Sequence, residues 1–129
     1  GYTGNEAIHL ATKSSWSRDK IYPLLGFQKF IGAADIDQIA YIRNFASDQT
    51  DFDLLISEYE SARKQTRDPF YVFTVTIQNH GGYSASQGLI DTPIQITSAE
   101  QKDEAAEQYI NLIRTTDLAL KIWYPISKT

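Results

Sequence analysis

A chain of 129 residues is long enough for one domain with a core and too short for two ordinary ones. Hydrophobic residues at 42% and charged residues at 22% exclude a disordered chain, and a formal net charge of −4 without clustered Lys and Arg excludes a nucleic-acid surface. Cysteine is absent, which removes disulfides, thiolate zinc sites and cysteine nucleophiles, and no apolar run approaches the ~20 residues of a membrane span.

Taken in order, Glu6 to Ala11 reads as a short strand running into the polar stretch Thr12 to Ser15. Ser17 is placed to cap a short helix and Gly26 to end it, with Pro23 tolerable in so short an element. Phe27 to Ile31 alternates apolar and polar residues as an edge strand does. From Gly32 to Asp37 the chain is an acidic connection. Ile36, Ile39, Ala40 and Ile42 then follow no regular period, and the stretch carries no assignment. Phe52, Leu55, Ile56, Tyr59 and Ala62 recur at three- and four-residue steps and predict an amphipathic helix from Thr50 to Gln65. Thr50 or Asp51 is its expected N-cap, and Arg63, Lys64 and Arg67 suit its C-terminal end.

Phe70 to Ile77 is an uncharged, β-rich run that reads as a strand covered on both faces, around which the rest is arranged. Asp68-Pro69 opens it, and Gly81-Gly82 beyond its end allows a sharp turn. Ser84 to Pro93 reads as a loop and Pro93 to Ile96 as a short extended piece. Ser98 to Gln101 then fits a capping box for a second long helix. That helix carries Ala105, Tyr109, Leu112, Ile113, Leu120 and Trp123 on adjoining faces and ends before Pro125. Strands alternating with helices give the α/β class, part of a mainly parallel sheet flanked by helices. Three strands make a thin sheet and the chain does not begin with Met, so one α/β segment over 1–129 from a longer protein is expected.

In parallel sheets ligands gather beyond the carboxyl ends of the strands, which is where Gln78, Asn79 and His80 fall. The two histidines, His9 and His80, each lie at the end of a predicted strand, and two parallel neighbours would bring them to one crevice. Trp16 offers a flat apolar wall and Arg18 a planar fork for an oxyanion. Plainer readings stand beside these: two half-buried histidines, Trp16 in the core, Arg18 in solvent. No metal-ligand spacing occurs, and Asp35, Asp37, Asp48, Asp51 and Asp53 are explained by solvation or capping. Gly81-Gly82 lacks the Lys-Ser or Lys-Thr of a phosphate loop.

His9, then Trp16-Ser-Arg18 through Phe27, then Phe70 to Thr76 with Gln78-Asn-His-Gly-Gly-Tyr83, and finally Tyr109 to Asp117 follow one another at a familiar spacing. In this the chain resembles the lipoteichoic acid synthase and phosphoglycerol transferase group of the sulfatase-like, alkaline phosphatase superfamily. The resemblance implies the middle part of an α/β catalytic domain at the extracytoplasmic face of the bacterial membrane, in a membrane-anchored parent. It further implies movement of glycerol phosphate from phosphatidylglycerol through a threonine-linked intermediate, with a divalent metal, often manganese. His9, Trp16, Arg18 and His80 correspond to the pocket for glycerol phosphate. An acidic residue that some members carry after the first histidine is replaced here by Leu10 and Ala11.

By the same resemblance, the nucleophilic threonine and one carboxylate ligand lie upstream of this chain and an Asp-His metal pair downstream. No catalytic residue and no metal ligand is therefore expected within it. A different class of reading is a non-catalytic α/β module for a small phosphorylated or sulfated ligand. The exposed edges of a truncated sheet are also candidates for pairing between copies.

Overall fold

The computed structural model describes residues 2, 4–98 and 100–126, with side chains as far as Trp123. The described residues form five strands and three α-helices: β1 (Gly4–His9), α1 (Arg18–Leu24), β2 (Lys29–Gly32), β3 (Tyr41–Ile42), β4 (Phe45–Ala46), α2 (Asp48–Gln65), β5 (Phe70–Thr74) and α3 (Glu104–Ile126). The main sheet is parallel, in the order β2-β1-β5, and β3 and β4 form a separate antiparallel hairpin.

The centre of the sheet is β1, not the Phe70 strand. Ala7 pairs with Phe30 and Phe73, and Ile8 with Ile31 and Thr74. Because successive side chains point to opposite faces, this register sorts the sheet into two layers. On one face Ile8 and Ile31 meet Leu54, Leu55 and Val72, with Leu10 and Ala46 completing the core. On the other face Tyr22 of α1 sits against Phe27, Phe30 and Phe73, with ring centroids 5.5, 4.7 and 6.2 Å away. Asn5 stitches the turn between α1 and β2, its amide donating to the Gly26 carbonyl at 2.7 Å and its carbonyl accepting from the Gln28 N–H at 3.1 Å. Gly26 stands at φ +90°, a conformation that carries no Cβ penalty in glycine.

Several expectations are corrected. β5 is an edge strand that ends at Thr74, and its Tyr71 and Phe73 remain 43% and 37% exposed. On that face its aromatics meet Tyr22 of the seven-residue α1 together with Phe27 and Tyr2, a cover too small to bury them. Ser17 does precede α1 but lies in the left-handed region and makes no side-chain cap. The unassigned stretch after Asp37 contains the β3–β4 hairpin, turning through Arg43 at φ 57°. α2 begins at Asp48 because Ser47 caps it, accepting from the Thr50 N–H at 3.2 Å. Pro93 to Ile96 forms no strand.

α3 begins later than expected. Asp103 rather than Ser98 caps it, its carboxylate accepting from the Ala106 N–H at 3.0 Å, and the helix runs to Ile126, past Pro125. A proline so near the C-terminal end removes one hydrogen bond, to the carbonyl four residues back, without preventing the last turn. Its packed side is also unexpected: Glu107, Gln108, Asn111 and Leu112 are buried, whereas Tyr109, Ile113 and Leu120 are exposed. The buried polar side chains bond the backbone of residues 90–96. Gln108 bonds both the N–H and the C=O of Ile90, Asn111 both groups of Ile94, and Glu107 accepts from the Ile96 N–H. No helix among the described residues is long and apolar enough to cross a membrane.

Candidate functional site

Beyond the carboxyl ends of β1 and β5 lies an open cleft of about 480 Å³, lined by His9, Trp16, Arg18 and His80 together with Ser15, Thr76 and Asn79. The parallel pairing of β1 with β5 is what brings the two histidines to one place. Trp16 is not a core residue, being 83% exposed.

His9 closes β1 and is buried. Its Nδ1 lies 2.7 Å from the Val75 carbonyl, which can only accept, so Nδ1 carries the proton and Nε2 keeps the lone pair of a neutral ring. Burial lowers the pKa of His9, the positive charge of Arg18 adds to this, and the Val75 bond opposes both. The ring therefore stays neutral at physiological pH and offers Nε2 as an acceptor to a hydroxyl. This contribution to stability is complete above the ordinary histidine pKa and is lost as pH falls through the lower folded value.

The wall holding Trp16 and Arg18 is built from tight turns. Ser15 bonds back to Thr12, Ser17 to Ser14, and Asp19 to Lys13. Trp16 and Ser17 both stand at positive φ, 58° and 54°, which for residues with a Cβ costs roughly 1–2 kcal/mol each. Trp16 is thereby turned outward. Among the described residues Arg18 is tethered only by an Nη1 bond of 3.2 Å to the Ser15 carbonyl, leaving donors of its fork for a ligand.

The opposite wall, Gln78 to His80, is held on every side. Arg43 Nη2 donates to the Gln78 and His80 carbonyls at 3.3 and 2.6 Å, and Tyr83 Oη donates to the Asn79 carbonyl at 2.9 Å. Gln78 Oε1 accepts from the Asp48 N–H at 3.0 Å, at the start of α2. Thr116 of α3 accepts from the Gln78 and Asn79 amides at 3.3 and 2.8 Å and donates to Asp48 Oδ2 at 2.5 Å. The His80 ring itself is exposed and stacks on Phe45, with centroids 5.2 Å apart.

The carboxylates of α2 depart from expectation as well. Asp48 and Asp51 are 1% and 2% exposed rather than solvated, and Asp48 Oδ1 and Asp51 Oδ2 are buried without partners among the described residues. Burial pushes the Asp51 carboxyl up to about 6, the charge of Asp48 adds to the rise, and a bond from Thr74 Oγ1 opposes it. Among the described residues no three His, Asp or Glu side chains come together as a metal site. Arg43 and Phe45 escaped sequence reasoning, and Thr116 stood in the Tyr109 to Asp117 motif with no role assigned. The only signal for the hairpin was the pair Arg43-Asn44 between two short apolar pairs.

Comparison with known proteins adds four matches. The family profile described as Sulfatase matches residues 1–121. Lipoteichoic acid synthase 1 of Bacillus subtilis is 29% identical over 126 residues, covering 96% of this chain and 18% of the relative. The chain thus spans under a fifth of that relative's length. In fold, the chain is similar to the Streptococcus pyogenes phosphoglycerol transferase GacH, solved with sn-glycerol-1-phosphate, at TM-score 0.69 and 21% identity over 95% of this chain and 32% of that one. It is equally similar to the lipoteichoic acid synthase LtaP of Listeria monocytogenes, at TM-score 0.67 and 20% identity over 98% and 30% of the two chains.

Proposed function

The chain belongs to the sulfatase family, and from that premise we propose that it forms the substrate-binding side of a catalytic domain that transfers or hydrolyses a glycerol phosphate ester. The observation that carries the reading is the meeting of His9, Trp16, Arg18 and His80 around one cleft. Arg18 presents its fork to phosphate oxygens, and His80 adds a ring N–H from the fixed wall. His9 Nε2 accepts from a glycerol hydroxyl, and Trp16 covers the glycerol carbons. The substrate class follows the similarity to a phosphoglycerol transferase solved with sn-glycerol-1-phosphate.

Sulfatase-like enzymes of this superfamily are metalloenzymes as a rule, and the metal of the complete domain, manganese by resemblance, is assigned to residues outside this segment. The nucleophile is assigned outside it too, so this chain binds and orients without performing the transfer by itself. We place the parent protein at the extracytoplasmic face of the bacterial membrane, anchored there, on its likeness to lipoteichoic acid synthases.

The test is turnover of phosphatidylglycerol by the full-length protein. Arg18→Ala and His80→Ala are each expected to lower it about a hundredfold, by removing donors that meet developing phosphate charge. Wild-type turnover in both variants would remove these residues from the site.

A further inference from the structure

We infer that Arg43 is a positioning residue for His80, holding the fixed wall of the cleft in its binding geometry from outside the cleft. The inference rests on the proposed binding of glycerol phosphate at this site and adds a residue that none of the motifs contains.

The backbone is the first observation. Arg43 turns the β3–β4 hairpin at φ 57°, where glycine, asparagine or aspartate is the ordinary choice. An arginine there carries backbone strain that a glycine would avoid. Its side chain is the second. One nitrogen, Nη2, bonds two carbonyls of the His80 segment, while Nε and Nη1 are buried without partners among the described residues. Each buried unpaired donor is unfavourable, only partly offset by the ring faces of Phe45 and Tyr83, whose centroids lie 4.9 and 5.4 Å from Cζ. Stability alone does not select this residue.

What Arg43 accomplishes is geometric. With Tyr83 it completes the bonding of three successive carbonyls, Gln78, Asn79 and His80. The hairpin that carries Arg43 also carries Phe45, the platform for the His80 ring, so one short element fixes both the backbone and the ring plane of that residue. Gly88 presses on the same spot, since a Cβ there would lie 3.2 Å from Arg43 Cα and Cβ. Strain kept at a residue whose side chain orients a binding group is the signature of a functional constraint.

The experiment measures binding of sn-glycerol 1-phosphate to the full-length protein by calorimetry, beside its thermal midpoint. Arg43→Gly relieves the backbone while removing the fork, so the midpoint is expected to stay near wild type while the dissociation constant rises about tenfold. Added methylguanidinium is expected to restore part of the affinity, and Arg43→Lys is not, because a point charge cannot bridge two carbonyls in a plane between two rings. Wild-type affinity in Arg43→Gly overturns the inference. So does a loss of affinity that follows a fall in midpoint and ignores methylguanidinium. Failure of the wild-type protein to bind the ester overturns the functional reading itself, and is told apart because it appears before any substitution is made.

Discussion

The two walls of the cleft are built on opposite principles. The Gln78–His80 wall draws bonds from a hairpin, from the start of α2 and from α3, and all three of its carbonyls are engaged. The Ser15–Arg18 wall relies on its own tight turns, with two successive residues at positive φ and one bond from the arginine fork. The fixed wall carries a histidine whose ring needs a set plane. The lightly tethered wall carries Trp16 and Arg18, long side chains that adapt to a ligand by rotation. On the proposed reading, the side-chain ordering that accompanies binding falls mainly on the Trp16–Arg18 wall.

The largest expected effect breaks the fixed wall at its junction. Thr116→Val removes the hydroxyl shared by Asp48, Gln78 and Asn79, taking from a buried carboxylate oxygen and the Asn79 amide their bond to α3 while the Gln78 amide keeps Asn79 Oδ1, which is expected to destabilise the protein by about 3 kcal/mol. Urea unfolding of the full-length protein measures this; a change under about 0.5 kcal/mol would mean that the junction holds nothing.

A smaller effect, opposite in sign, comes from Asp51 beneath the same wall. Its folded pKa of about 6 lies above the ordinary value of 3.8, so its contribution is favourable below pH 3.8 and is lost as pH rises through 6. Asp51→Asn keeps an acceptor for Thr74 without the buried charge and is expected to stabilise the protein at pH 7.5, by at most about 3 kcal/mol. The gain should shrink toward pH 4 in parallel melts of the two proteins; a gain unchanged with pH would contradict the assignment. Because His9 acts in the reverse direction, the wild-type melt combines the two, and the variant separates them.

The smallest effect sharpens the contrast from the other side. Ser17→Gly relieves one positive φ in the strained wall and is expected to stabilise by about 0.5 kcal/mol, the relief being offset by glycine's greater freedom when unfolded. The same substitution in an unstrained loop would lower stability, so a fall in the thermal midpoint would count against strain at this position.

What the sequence made legible follows how local each signal was. β1, α1 and β2 could be read because alternation, a proline in the first helix and Gly26 act within a few residues. The family motifs marked all four candidate site residues. α2 was begun late because its first turn buries Asp48 and Asp51, acids that resemble solvated caps, and its apolar stripe starts only at Phe52. The Phe70 run looked doubly covered because aromatic composition does not reveal how much of the cover lies in this chain. Arg43 was invisible and Thr116 stood in the Tyr109 to Asp117 motif without a role: each works on residues more than thirty positions away, through bonds that leave no local pattern.

The polar face of α3 has a consequence of its own. Residues 90–96 take hydrogen bonds for Ile90, Ile94 and Ile96 from a helix where a strand would take them from a neighbour. The loop thus has no stability independent of that helix, and the two form one cooperative unit. Thr116, further along the same helix, holds Asn79. Fraying from the N-terminus of α3 therefore frees the loop first and the His80 wall afterwards, and a ligand that steadies His80 tightens, through one helix, a loop it never touches.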